Sequence, residues 1–387
     1  MEIQKEKHIN AQRDSDKIGL YLIDMGDPPK KSPLHEYHEK SNANFVSFGG
    51  WVWVDEYANN MVGEYIELNN GVVICDIHGV TFGIIRGSNV VEKLQPLLTN
   101  KAVVNKPFNT ISYTGFLSPE GALFDDGMIY RNSNEEIFIT LNEGFNSFVA
   151  NISDEIKRGL EFIDLTSKYV KLQVQGPKAE DAVVSLLGIP PLKLFRYTVI
   201  SDVIIAKSGY TLPGGYEIFV PIEKGGEYWT KFLDAGILPY GIKAMEVSRV
   251  ESAKLRSGYD FFPHFHLPSE LGFIGEEAET SLIKGEINTV YFISEAVPAD
   301  EHQRPEIGSL VRTKEGQICG VLTSAVYSPL YHRYLGFCHL LKEFPYEEES
   351  FFVHNLKIDI LHWKNARKTL SLISNSPLYL GSTRKAA

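Results

Sequence analysis

Between residues 72 and 141 the apolar positions fall in short runs separated by Gly, Pro and Asn. Val72-Val73-Ile74-Cys75 and Val80-Thr81-Phe82-Gly83-Ile84-Ile85 read as consecutive strands, 90–98 as a short helix, and 111–117, 123–130 and 137–141 as a meander. Upstream, the first 31 residues are polar apart from Ile18-Gly19-Leu20-Tyr21-Leu22-Ile23, which predicts one short strand. Asp27-Pro28-Pro29-Lys30-Lys31 then breaks the chain, and Ser32 is placed to cap a helix with Pro33 at its first position. Downstream the pattern predicts a strand from 170, a helix over 179–187, strands at 197–206 and 216–221, and helices over 223–235 and 244–256. From about 288 onward it is strand-like at 290–294, 309–312, 320–324, 335–341 and 351–361. Helix and strand mix without regular βαβ alternation, so the expected class is α+β with mostly antiparallel sheets, closing in an all-β domain.

Within the meander, Asp125 and Asp126 interrupt an apolar strand, with Ala122-Leu123-Phe124 before them and Met128-Ile129-Tyr130 after. Strand alternation predicts that one of the two faces inward and the other solvent. An inward carboxylate in apolar surroundings costs several kcal/mol unless it is paired or used. The plain alternative is an Asp pair capping a hairpin end.

Composition narrows the function classes. With 387 residues the chain is long enough for two or three domains, and 43% hydrophobic with 22% charged residues is ordinary for a globular protein. A formal charge of −11 argues against a nucleic-acid partner. No apolar run approaches a membrane span, and the first residues carry no apolar core of a signal peptide. Cys75, Cys319 and Cys338 lack Cys-x-x-Cys spacing and read as buried free thiols, which predicts a cytoplasmic protein.

Other motifs each have a bland reading. Gly209-Tyr210-Thr211-Leu212-Pro213-Gly214-Gly215-Tyr216-Glu217-Ile218 is a glycine-rich turn, yet Glu217 is a second carboxylate inside a strand and could accept two N–H donors of a heterocycle. Glu246 and Arg249 are spaced i,i+3 as a surface ion pair would be. His35-x-x-His38 and His264-x-His266 have no third ligand at recognisable spacing, so no metal is expected. The aromatic stretch from Tyr259 to His266 reads as a packed interdomain loop or as a wall against a planar or methylated substrate. Neither a dinucleotide fingerprint nor a Gly-Lys-Ser/Thr phosphate loop is present.

Taken in order, these segments resemble the glycine-cleavage T-protein family of folate-dependent aminomethyl- and methyltransferases. The resemblance runs from about Ser32 to Leu341. It begins with Ser32-Pro33-Leu34-His35-Glu36-Tyr37-His38, Phe48-Gly49-Gly50-Trp51 and Cys75-Asp76-Ile77-His78, and continues through the Tyr113–Asp126 run. Val174-Gln175-Gly176-Pro177, Gly209-Tyr210-Thr211, Gly215-Tyr216-Glu217-Ile218 and Arg249-x-Glu251 follow, then Phe273-Ile274-Gly275-Glu276-Glu277-Ala278 and Gly320-x-x-Thr323-Ser324. The resemblance implies a three-domain cloverleaf around tetrahydrofolate with a C-terminal all-β barrel or jelly roll. The implied divisions are an extension at 1–31, a folate-binding domain from 32–78 and 155–270, an α+β domain at 79–154 with the Asp pair, and a β domain at 271–387. It implies Asp125 as the catalytic carboxylate, and Tyr113, Asn142, Tyr216, Glu217 and Arg249 as cofactor-binding residues.

Where glycine-cleavage members carry Ala-Arg-Asp, this chain has Ala244-Met245-Glu246, and the Glu after Gly-Tyr-Thr-Gly is replaced within Leu212-Pro213-Gly214. These departures argue against orthodox glycine cleavage and against docking of a lipoyl carrier protein. They favour a demethylase or methyltransferase that moves a methyl from a small O-, S- or N-methylated compound to folate N5. Tyr259, His264 and His266 are then candidates to assist an alkoxide or phenolate leaving group, while an onium donor needs none. The alternatives are aminomethyl transfer and a folate-binding protein without chemistry.

Overall fold

The computed structural model describes residues 28–142, 144–211, 214–261, 287–296, 305–344 and 350–374. The strand expected at 18–23 and both His264 and His266 lie outside these residues.

The chain enters through helix α1 (His35–Lys40). Ser32 does not cap it: its Oγ accepts the N–H of Leu34 at 3.0 Å and donates to Asp76 Oδ2, tying the entry to a strand end. Strands β1 (Ala43–Phe48) and β2 (Trp51–Tyr57) form a hairpin, followed by α2 (Met61–Asn70), whose Asn60 cap accepts from the N–H of Gly63. Then come β3 (Val73–Asp76), β4 (Thr81–Arg86), α3 (Val90–Leu94), β5 (Thr110–Leu117), β6 (Leu123–Arg131) and β7 (Glu136–Leu141). Helices α4 (Phe145–Ala150) and α5 (Asp154–Lys157) lead to β8 (Glu161–Asp164), β9 (Tyr169–Gln175) and α6 (Ala179–Leu187). The next elements are β10 (Tyr197–Ile200), β11 (Val203–Ala206), β12 (Gly215–Pro221), α7 (Gly225–Asp234), β13 (Leu238–Pro239) and α8 (Ile242–Glu251). Strands β14 (Ile287–Ser294), β15 (Leu310–Thr313), β16 (Ile318–Ser328), β17 (Arg333–Leu341), β18 (Phe351–Val353) and β19 (Leu356–Leu361) precede α9 (Trp363–Ser374).

The strands build a six-stranded sheet ordered β10-β11-β12-β9-β3-β13, a five-stranded sheet ordered β5-β6-β7-β4-β8, and a closed barrel ordered β14-β17-β16-β15-β18-β19. All pairings are antiparallel except β13 with β3. Because β8 pairs with β4, the five-stranded sheet runs past the boundary expected at 154. The class is the α+β arrangement with a C-terminal barrel that the pattern predicts, but the ending is not all-β. Helix α9 buries Ala366 and Leu370 against Leu117, Leu123, Val250 and Phe261, an amphipathic stripe that the strand-rich run before it obscures.

Two sheets meet face to face. Phe82, Ile111, Tyr130 and Phe138 of the five-stranded sheet pack on Tyr197, Ile204 and Phe219 from the six-stranded sheet. Helices α6 and α7 cover the far side of one sheet, with Val183, Trp229 and Phe232 in its core. Helices α3 and α4 cover the far side of the other, through Val90, Leu94, Phe145 and Phe148. Each fully buried aromatic contributes about 2–3 kcal/mol of burial. The same packing leaves little water on either face of the central strands.

Candidate functional site

The Asp pair sits on β6, which is sandwiched in this way. Asp125 is 0% exposed and Asp126 6%, so neither faces solvent. The expectation of one outward carboxylate fails because the strand has a sheet on one side and helices on the other. A β-bulge sets the two directions: Phe116 pairs with Asp125 and Leu117 with Leu123, leaving Phe124 as the extra residue. Asp126 therefore shares a face with Met128 and Tyr130, toward the six-stranded sheet, and Asp125 shares the face of Ile129, toward α4. Gly127 follows the pair because β7 runs so close that a Cβ there would lie 1.9 Å from the carbonyl oxygen of Thr140.

Hydrogen bonds separate the two carboxylates further. Asp125 Oδ1 accepts the backbone N–H of Asp126 at 2.7 Å and that of Asn142 at 3.4 Å. Asp126 Oδ2 accepts the hydroxyl of Tyr113 at 2.6 Å, while Asp126 Oδ1 is buried with no hydrogen-bond partner among the described residues. Burial pushes the Asp126 carboxyl up, an effect that Tyr113, Ser257 and Asn142 partly offset. Burial, then Asp126, pushes the Tyr113 phenol well above its ordinary range. Asn142 is itself exposed, and its Nδ2 donates to the Asp126 carbonyl at 2.9 Å, closing the end of β7 over the pair.

Glu217 points from β12 toward the same sheet interface, on the face of Phe219. Its Oε1 meets Lys171 Nζ at 3.2 Å, and its Oε2 accepts the hydroxyls of Ser208 at 2.7 Å and Tyr130 at 3.2 Å. Burial would raise its pKa, but Lys171 and the two hydroxyls hold it below the ordinary carboxylate value. A charged Glu217 is thus already neutralised inside the protein. The sequence reading missed Lys171, Ser208 and Tyr130; only Lys171, a lone cation in Val170-Lys171-Leu172, left a visible signal.

Two residues of the expected cofactor set are placed elsewhere. Tyr216 alternates to the opposite face of β12, in the core beneath α6, and its hydroxyl donates to Glu180 Oε2 at 3.1 Å. Burial pushes its phenol up to about 12. It cannot line a pocket shared with Glu217, because strand neighbours diverge. Arg249 is 0% exposed rather than a surface ion pair. Its Nε donates to Glu246 Oε2 at 2.9 Å, its Nη1 to the Lys254 carbonyl at 2.5 Å and Asp260 Oδ2 at 2.6 Å. Its Nη2 donates to Glu246 Oε1 and to Ser324 Oγ at 2.7 Å. A guanidinium has five N–H donors, and all are spent. Burial alone would depress its pKa, but Glu246 and Asp260 hold it well above its ordinary value. Arg249 fastens α8 to the 252–261 segment and to β16 of the barrel, and has no donor left for a cofactor.

The leaving-group candidates divide. Tyr259 is half-buried with the Arg256 guanidinium 4.0 Å from its ring centroid, and burial pushes its phenol up. His264 falls outside the described residues. His38 is committed to Asp76 Oδ2 at 3.1 Å and to the Tyr57 hydroxyl at 2.9 Å, and His35 to Glu39 at 3.2 Å. Among the described residues no group of three His, Cys, Asp or Glu side chains could hold a metal ion. No helix among them is long and apolar enough to cross a membrane, and Cys75, Cys319 and Cys338 are buried free thiols.

The site also contains a cation that the sequence reading did not single out. Lys254 lies just after α8, and its Nζ donates to the carbonyls of Gly209 at 3.1 Å and Tyr210 at 2.5 Å. Burial, then Arg367 of α9, lowers its pKa to about 8.

The fold and sequence both have known counterparts. An aminomethyltransferase of Caldanaerobacter subterraneus subsp. tengcongensis is 28% identical over 288 residues, 66% of this chain and 74% of that protein. An aminomethyltransferase of Chlorobium luteolum is 27% identical over 345 residues, covering 81% and 91%. The crystal structure of glycine cleavage system aminomethyltransferase T from Bartonella henselae superposes with a TM-score of 0.72 at 23% identity, over 86% of this chain and 96% of that one. A family profile described as the GCVT N-terminal domain matches residues 34–273, more than half of the chain. The protein belongs to the glycine-cleavage T-protein family.

Proposed function

We propose that this protein is a tetrahydrofolate-dependent one-carbon transferase that moves a methyl group from a small O-, S- or N-methylated compound to folate N5. The observation that carries the methyl reading is Met245. Glycine-cleavage members resembling this chain have arginine there, whereas here a thioether packs against the apolar core that contains Tyr65, Tyr240 and Val247, and the acidic neighbour Glu246 is consumed by Arg249. Relatives named aminomethyltransferases favour the second reading, aminomethyl transfer. A folate-binding protein without chemistry is the third.

The residues present fit a reduced pterin. Among the described residues Asp126 Oδ1 is a buried acceptor lacking a donor, as an N–H-bearing heterocycle would require, and Glu217 stands on the facing sheet. When bound, tetrahydrofolate supplies the nucleophilic nitrogen. The role expected of Asp125 passes in this reading to Asp126, on the face toward the sheet of Glu217: it would take or return the proton at that nitrogen with Tyr113 fixing it, while Asp125, turned toward α4, would position it by accepting the N–H groups of Asp126 and Asn142. Such acid–base assistance contributes about 10²–10⁴-fold. Burial on both faces of β6 keeps water from competing and holds the reactants in line. The lipoyl carrier has no part in this reading, and the donor would be an aromatic ether or an onium compound.

The test is mass spectrometry of tetrahydrofolate after incubation with a panel of methylated compounds. Appearance of 5-methyltetrahydrofolate supports the reading. Ammonia and methylenetetrahydrofolate formed with an aminomethylated lipoyl carrier would replace it with the second, and folate binding without either product with the third.

A further inference from the structure

Lys254 is a half-buried ammonium whose hydrogen bonds go to two backbone carbonyls. No carboxylate lies within ion-pair distance of its Nζ among the described residues, although the chain has 49 acidic against 38 basic residues. A desolvated cation normally carries a counter-charge, since leaving it unpaired costs several kcal/mol. Its charged neighbours through space are another cation, Arg367, on the exposed side of α9, and, with a smaller effect, Glu217, which Lys171 already pairs. An ammonium has three donors, so one N–H of Lys254 has no hydrogen-bond partner among the described residues.

The surroundings place this pair of cations at the candidate site. Tyr210, whose carbonyl holds Lys254 and whose ring centroid lies 5.6 Å from Nζ, is close enough to Tyr113 to influence its titration. Ser257, three positions beyond Lys254, is close enough to Asp126 to favour its charged form. Helix α9 carries Arg367, and its Ala366 and Leu370 share one buried cluster with Leu117 and Leu123, which flank the turn that leads into the Asp pair.

We propose that Lys254, with Arg367 beside it, receives a carboxylate of the bound ligand at the junction of the Asp-pair hairpin, the 252–261 segment and helix α9. The spare N–H of an ammonium and the fork of a guanidinium suit the two oxygens of a carboxylate, whose charge would balance the two cations. Resting on the reading above, the carboxylate belongs to the methyl donor or to the glutamate of the folate, and both present the same chemistry to the pair.

Calorimetric titration of the full chain with two matched pairs of ligands tests this. One pair is 5-formyltetrahydrofolate and 5-formyltetrahydropteroyl amide, which lacks the glutamate; the other is 4-methoxybenzoate and 4-methoxybenzamide, titrated with 5-formyltetrahydrofolate present. In one pair the carboxylate member should bind the wild type better by about 10-fold or more, the worth of a charged hydrogen bond. Lys254→Met should abolish that preference and leave the amide member within about two-fold, while Lys254→Arg keeps it. The pair that responds names the source of the carboxylate. Equal weakening of both members of a pair, or no preference in either pair, overturns the proposal. Arg367→Gln, a change at an exposed position, should reduce the same preference if Lys254→Met does not fold, and an unchanged preference there also overturns it. Binding is read without turnover, so failure here is separate from failure to form 5-methyltetrahydrofolate.

Discussion

The hydroxyl of Tyr130, on the strand of the Asp pair, donates to Glu217 Oε2 at 3.2 Å, joining the two sheets through one hydrogen bond. Tyr130 is 0% exposed and is itself packed edge-on against Phe219. Replacing it with Phe keeps the ring and removes a bond to a charged acceptor. We expect Tyr130→Phe to lower stability by about 1.5–3 kcal/mol in urea unfolding. A loss of under about 0.5 kcal/mol would mean that Ser208 and Lys171 already satisfy Glu217.

Lys171 and Glu217 have side chains only 7% and 10% exposed. Lys171→Met would strand the carboxylate without its cation, at a cost of about 3–5 kcal/mol. Adding Glu217→Gln should recover most of that loss. The check is a double-mutant cycle by chemical denaturation; strict additivity of the two changes would show that the pair is not coupled.

Asp126→Asn keeps an oxygen to accept the Tyr113 hydroxyl, so the strand should survive. Methyl or aminomethyl transfer should fall by about 10²–10⁴-fold, well beyond any change in reduced-folate affinity. Single-turnover kinetics beside calorimetry separates the two. Unchanged transfer would remove Asp126 from the chemistry.

Arg249→Lys cannot reproduce five donors, and we expect about 3–5 kcal/mol of lost stability as the contacts to Asp260 and Ser324 fail. Folate affinity, measured at a temperature where the variant remains folded, should stay within about three-fold, because no donor of Arg249 is available to a ligand. A large affinity loss at full stability would restore its place among the binding residues.

Glu251 is bound by the hydroxyls of Tyr65, at 2.8 Å to each oxygen, and Ser328, at 2.5 Å, and burial raises its pKa from 4.5 to about 7. The folded state therefore holds a proton that the unfolded chain has already released. This stabilisation is complete below pH 4.5 and disappears as pH rises through about 7. Glu251→Gln should remove the trend, and above pH 7 it should be more stable than the wild type by up to about 3 kcal/mol. Melting curves across this window give the answer; parallel pH profiles for both proteins would contradict the assignment.

Much of this protein was legible in its sequence because strand and helix periods are local. Apolar runs marked most strands, though not β1, β2, β8 or β13, and the ordered motifs from Ser32 onward identified the family. Asp125 and Glu217 stood out for an equally local reason, a charge inside an apolar strand. The pattern was silent about helix α9, whose apolar stripe is short and follows six barrel strands.

Tertiary structure decided everything that depends on what covers a face. Alternation shows that Asp125 and Asp126 diverge, but only the second sheet and α4 make both of them buried. Helical spacing links Glu246 to Arg249, but only Asp260 and Ser324, brought in from a distant segment and from the barrel, turn a surface pair into a buried knot. Lys171 finds Glu217 across a strand pairing, and Lys254 gains Arg367 from the far end of the chain. A side chain's charge is written in one residue, whereas its partner and its distance from water are properties of the packed whole.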